Sequence, residues 1–291
     1  MPKIKLSITK KLKKKKKKKK VQKVTVSIPK KPSKICTDFR LFSVLVHGEK
    51  KIGKTTMWAQ EEGAFFLEFD PLQGSLAIKQ RHVPTWPHFL AYIDLLEKLP
   101  AEIRTVIVDG VDIAYQLCFN WSCEKMAIVH PHDENDYGKS WNFIRSQFEK
   151  AMLRLLSLNE HGIAARFISH SKWAEVKKRG GGKVDKLIPF MTSQAEEVLN
   201  GRIDIWAAYT YDDDKRILIL EGSEEIGAGH RCDGRFLTPE GEAIQEIYMG
   251  TSPKQAYNNL LEAFNNEQTY TTVDEMKTKK KKKKMKVKIK R

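Results

Sequence analysis

Residues 48–55 read Gly-Glu-Lys-Lys-Ile-Gly-Lys-Thr, directly after an almost unbroken apolar run over residues 41–47. No other feature of the chain limits its fold so strongly. An apolar run with little alternation suits a strand buried on both faces of a parallel sheet. The spacing Gly48-x4-Gly53-Lys54-Thr55 is that of a turn wrapped around phosphates and leading into a helix. Gly48 and Gly53 permit backbone conformations that bring the amides of Glu49, Lys50, Lys51 and Ile52 around an anion. The following helix start, through Thr55 and Thr56, adds donors and a favourable dipole. Lys54 is expected to reach the β and γ phosphates, and the Thr55 hydroxyl to ligate Mg2+. The spacing therefore predicts a magnesium nucleotide site, with ATP preferred because no Asn-Lys-x-Asp sequence signals guanine.

Downstream periodicity continues the same architecture. Residues 64–69 read as a second strand. Phe89, Ile93, Leu96 and Leu99 repeat at helical spacing up to Pro100. Residues 105–109 form a third apolar run ending in Asp109, with a helix beginning near Val111. Trp141, Ile144, Phe148, Met152, Leu155 and Leu156 fall on one helical stripe, stopped by Gly162. Residues 163–170 predict a fourth strand, and the polar segment 172–190 with Gly180-Gly181-Gly182 predicts a mobile basic loop. Residues 203–211 and 216–221 suggest an edge hairpin, and residues 253–264 a last helix. Alternating strands and helices predict an α/β fold, a mostly parallel sheet with helices on both faces.

The formal charge of +17 hides an uneven distribution. Residues 1–34 hold sixteen lysines and no acid, and residues 277–291 hold ten lysines and Arg291. Between them, 26 basic residues face all 36 acids, a formal −10. The chain reads as an acidic globule with two cationic arms: an arm over 1–34, a core over 35–270 and a tail over 271–291. Such arms are expected to be disordered and to attract polyanions, nucleic acid first. A low-complexity run without a target is the plainer reading. Four dispersed cysteines fit a reducing compartment, and no apolar run is long enough to span a membrane. A cytoplasmic location follows, or a host-cell interior for a viral protein.

Asp109 closes its strand where ligands bind in open α/β sheets, so it is expected to hold magnesium directly or through water, or to cap the next helix. Asp112 is the weaker alternative. Glu68 and Asp70 sit at the end of the second strand, where alternation points both the same way with Phe69 opposite, and are candidates to orient the attacking water, Asp70 narrowly ahead. His170 can sense the γ-phosphate or be an ordinary polar residue at a strand end. Trp173 can stack on a base or pack on the core. Cys118-x4-Cys123 with His130 and His132 permits zinc in principle, but buried thiols are the expected reading. A nucleotide kinase needs an arginine-rich lid, and the basic side chains of 172–190 are mostly lysine.

HGEKKIGKTT, FFLEFDPLQGSL, RTVIVDGVD, YGKSWNFIRSQF, ARFISHSKW and GHRCDGRF occur in this order. Together they resemble the RecA-like P-loop ATPases of bacteriophages, a group that includes AAA-family proteins related to single-strand annealing recombinases. The resemblance spans residues 40–245. It implies a RecA-like P-loop NTPase fold, ATP hydrolysis, and action on single-stranded DNA in phage recombination or replication. A helicase or loader accessory, or a nucleotide-regulated scaffold, is the alternative. It further implies that Asp70 activates water and that His170 couples nucleotide state to DNA binding by residues 172–190 and the lysine-rich termini. By the same resemblance Arg231, with Arg235 in reserve, reaches a neighbour's ATP in a homo-oligomeric ring or filament. The family commonly has Pro and Gly inside the loop, where this chain has Lys50 and Lys51.

Overall fold

The apolar runs form the centre of one ten-stranded sheet in the computed structural model, which describes residues 28, 30, 31, 35–70, 76–133, 135–178 and 180–278. Most of both lysine-rich arms, with their expected disorder, lies outside the described residues, as do residues 71–75 and Arg179. The chain divides into two units, Met1–Lys34 and Ile35–Arg291, and the second carries the fold.

In chain order the elements are β1 (Val44–Gly48), α1 (Lys54–Trp58), β2 (Ala64–Glu68), β3 (Lys79–His82), α2 (Trp86–Leu96), β4 (Thr105–Asp109), α3 (Val111–Met126) and α4 (Lys139–Ser157). There follow β5 (Ala164–Lys177), β6 (Lys183–Pro189), α5 (Ser193–Asn200), β7 (Ile205–Asp212), β8 (Lys215–Ile219), β9 (Gly229–His230), β10 (Glu246–Tyr248) and α6 (Pro253–Phe264). The sheet order is β10-β8-β7-β1-β5-β4-β2-β3, with β6 paired to β5 and β9 to β7. The pairs from β7 through β1, β5, β4, β2 and β3 are parallel. β8 and β10 extend it antiparallel.

Alternation along the central strands explains why their runs are apolar throughout. Leu45, Leu67, Val106, Val108 and Phe167 pack on one face with residues of α2, α3, α4 and α5. Val44, Val46, Phe66, Ile107 and Ile168 pack on the other with residues of α1 and α6. Both faces are covered, as a parallel sheet requires. Pro253 sits in the first turn of α6, and Ser252 accepts the Gln255 amide at 3.2 Å, fixing where that helix begins.

Four expectations need correction. Residues 172–190 are not a mobile loop. β5 runs on to Lys177, β6 returns antiparallel with Trp173 opposite Leu187 and Lys177 opposite Lys183, and only the tip turns. The three glycines serve that tip. Cross-strand pairs such as Val176 with Val184 give the arms β character that the basic composition conceals. His170 consequently lies inside a strand rather than at its end. The expected tail also starts later than residue 271: residues 273–278 are helical, and Val273 and Met276 pack on Ala208, Ile217 and Ile219. Finally, the strand predicted over 41–47 starts at Val44, because Phe39–Leu41 form a 3-10 turn with Phe39 buried.

Among the described residues no helix is long and apolar enough to cross a membrane. All four cysteines are free thiols. Among the described residues no three potential metal-ligating side chains gather, so Cys118, Cys123, His130 and His132 make no zinc set. His130 instead stacks with Phe119 and Trp141.

Candidate functional site: the β1 loop and its carboxylates

β1 delivers the loop from the middle of the sheet, between β7 and β5. Gly48 is opposite Tyr209 on β7, and a Cβ at Gly48 would collide with the Tyr209 carbonyl. Gly53 adopts φ 114°, a left-handed conformation that side chains resist, and α1 begins at the next residue. Lys51 is also left-handed, at φ 65°, which accounts for a glycine preference at such a position. Ile52 is buried, while Glu49, Lys50 and Lys51 face solvent. α1 has only five residues, so the loop's own amides outweigh any helix dipole there.

Lys54 is buried and donates to the carbonyls of Gly48 at 2.8 Å and Glu49 at 2.7 Å. Its ammonium thus lies inside the loop's curve, and burial lowers its pKa to about 8 despite the nearby Asp109. The Thr55 hydroxyl donates to Asp109 Oδ2 at 2.6 Å, joining two residues 54 positions apart. Thr56 turns back to the Gly53 carbonyl at 3.0 Å. Asp109 does not cap α3, whose N-cap is Gly110. Burial raises the Asp109 pKa, opposed by the Thr55 hydrogen bond and by Lys54.

Glu68 ends β2 in register with Asp109 on β4. Its side chain is buried, Oε1 has no partner among the described residues, and burial with the neighbouring Asp109 and Asp70 raises its pKa to about 8. Asp70 differs. β2 stops at Glu68, so the alternation that was to align the two carboxylates does not reach Asp70, which is exposed. His170 is opposite Gly48, with Nδ1 3.3 Å from Asp112 Oδ2, while Asp112 Oδ1 is buried without a partner among the described residues.

Arg231 is brought elsewhere. Its guanidinium binds Asp204 Oδ1 at 2.8 Å and the Gly201 and Arg202 carbonyls, and Asp204 in turn holds Ser43, which precedes β1. It therefore anchors the opposite end of β1 from the loop. Arg235 stacks over Phe264. Sequence reasoning missed Tyr209 and Arg216, which back the loop from β7 and β8. Their only sequence signal was membership in an apparent edge hairpin. It also passed over His47, buried on β1 between the Ser171 hydroxyl at 2.8 Å and the Gly227 carbonyl at 2.7 Å.

A strand-borne glycine loop, a buried lysine in its curve and a threonine–aspartate pair at the C-terminal ends of neighbouring strands define an α/β protein with a P-loop NTPase-type fold. A family model described as AAA domain matches residues 41–232. The chain belongs to the AAA-domain family, and membership points to nucleotide binding and hydrolysis. No curated protein matches the chain.

The residues fit a magnesium nucleotide. Mg2+ takes one or two protein oxygens and completes its shell with phosphates and water, so Thr55 Oγ1 and Asp109 suffice as its protein partners. Beside them a buried Glu68 oxygen has no partner among the described residues.

Proposed function

We propose that this chain binds ATP with Mg2+ and hydrolyses it, and that it uses the nucleotide state to act on single-stranded DNA. The observation carrying the first part is the 2.6 Å bond between Thr55 and Asp109 beside the buried Lys54. Lys54 exchanges its two loop carbonyls for phosphate oxygens. Thr55 and Asp109 would hold the magnesium, which when bound would neutralise phosphate charge. Glu68, rather than Asp70, orients the attacking water: it is buried and in register with Asp109, whereas Asp70 is exposed. His170 and Asp112 carry the nucleotide state from beside Gly48 into β5, whose continuation is the β5–β6 hairpin.

The hairpin supports the DNA reading. It carries Lys172, Lys177, Lys178, Lys183 and Lys186, and Trp173 is 64% exposed rather than packed on the core. Stacking a base on such a side chain is worth about 1–3 kcal/mol. The order of motifs supports a RecA-like role in phage recombination or replication, with the lysine arms adding salt-dependent affinity and ATP promoting assembly of a homo-oligomer.

Turnover measured with and without single-stranded DNA, with sizing in both nucleotide states, tests this. Stimulated turnover, abolished by Lys54→Ala, and larger species with ATP are expected. Trp173→Ala should weaken DNA binding about tenfold or more. DNA affinity that survives loss of residues 172–190 and vanishes without the arms would instead make the protein a scaffold.

A further inference from the structure

The phosphate loop is backed by a cation that its own sequence motif does not contain. Arg216 on β8 is opposite Tyr211 on β7, two strands from the loop. Its Nη2 donates to the Gly250 carbonyl at 3.1 Å, and its Nη1 lies 3.5 Å from the Ile52 carbonyl, the long end of a hydrogen bond. Nη1 would be only 3.1 Å from a Cβ on Gly53, so the guanidinium sits directly against the loop's second glycine. Its backbone carbonyl also accepts the Met249 amide at 2.9 Å. Arg216 thus grips residues 249–250 with both main chain and side chain while touching the loop with one prong.

A second observation lies on the same side of the loop. The Tyr209 hydroxyl is 3.8 Å from where a Gly53 Cβ would be, belongs to a fully buried side chain and has no hydrogen-bond partner among the described residues. A long contact and a buried hydroxyl without a partner, both against Gly53, mark a loop whose backing is not yet fully engaged. Residues 249–252 lead straight into α6, whose Ala256, Leu260 and Phe264 pack in the core on the α1 side of the sheet.

We propose that Arg216 is a positioning residue for the phosphate loop, joining the Ile52 carbonyl to the Gly250 carbonyl so that closure of the loop on a polyphosphate is transmitted to the turn before α6. This rests on the nucleotide-binding reading above. An arginine suits the task and a lysine does not, since only the planar guanidinium presents two fixed prongs to two carbonyls. The loop and the turn are about two hundred residues apart in sequence (Ile52 and Gly250), so no local preference can couple them.

The test uses the full chain, with a magnesium complex of a non-hydrolysable ATP analogue as probe. Affinity and amide hydrogen exchange over residues 248–256 are measured for the wild type, Arg216→Lys and Arg216→Ala. In the wild type the analogue should slow exchange over 248–256. In both variants affinity should fall about tenfold, and at saturating analogue the protection of 248–256 should be lost while that of residues 48–56 persists. Rescue of both readouts by lysine would overturn the proposal by reducing Arg216 to a bare charge. So would protection unchanged in either variant, or wild-type protection confined to the loop. Nucleotide-free melting temperatures identify any variant that fails to fold. A wild type with no affinity for the analogue would overturn the nucleotide reading instead, before Arg216 is examined.

Discussion

The two ends of the central sheet each bury charge, and they treat it in opposite ways. Toward the strand starts, Arg166 on β5 and Glu61 are both almost inaccessible, joined at 2.7 and 3.1 Å. Arg166 also donates to the Phe42 carbonyl at 2.6 Å, Thr105 donates to Glu61 at 3.1 Å, and the guanidinium lies over the rings of Phe39 and Trp58. Every prong has a partner. At the strand ends, among the described residues, Lys54 takes only loop carbonyls, and Glu68 and Asp112 each keep a buried oxygen with no partner. Burial with partners is a structural device; burial with unmet hydrogen-bonding capacity is what a ligand site shows before its ligand arrives.

Substitutions at the two ends should separate these roles. The largest effect is expected from Glu68→Gln, which should cut ATP turnover about 10²- to 10⁴-fold and change nucleotide affinity little, as read by steady-state kinetics beside equilibrium binding. If Asp70→Asn does this and Glu68→Gln does not, the exposed carboxylate is the working one and the contrast fails. At the other end, Arg166→Ala should lower unfolding free energy by about 3–5 kcal/mol, because it strands Glu61 in the core. Denaturant titration reads this, and a loss below about 1 kcal/mol would show the pair to be as dispensable as a surface bridge.

A pH series sharpens the comparison further. The folded pKa of Glu68, about 8, lies above its ordinary value of 4.5. The unfolded chain therefore releases this proton first. The favourable contribution of the neutral side chain is complete below pH 4.5 and drains away as pH rises to 8. The melting temperature of Glu68→Gln, which stays neutral, should match the wild type near pH 4.5 and exceed it increasingly toward pH 8. A constant difference would remove burial of an ionisable Glu68 from the account. The smallest effect is expected at Lys51→Gly. Relief of the left-handed backbone is offset by the greater freedom of glycine in the unfolded chain, so the denaturant midpoint should move by less than about 1 kcal/mol equivalent.

Much of this arrangement was legible along the chain because it depends on neighbours in sequence. The boundaries of β4 at Thr105 and Asp109, and of α6 at Pro253 and Phe264, follow from apolar run length and capping residues. The loop from Gly48 to Thr55 declares itself by spacing. The β5–β6 hairpin was misread because its pairing energy comes from residues on two strands, whereas its lysines and glycines are conspicuous on one. The differing burial of Glu68 and Asp70 was hidden for a similar reason: where β2 stops is decided by its pairing with β3 and β4, and two residues beyond the last pair the Asp70 side chain is exposed.

Composition and spacing alone determined that this chain makes an α/β sheet with a glycine-bounded turn between β1 and α1, since glycine positions and apolar periodicity are properties of local backbone and burial. Which carboxylates converge on that turn, which arginine stands behind it and which one anchors the far end of β1 were decided by the fold. Strand register places Glu68 beside Asp109, and β8 carries Arg216 to Gly53, across separations at which the sequence exerts no local preference.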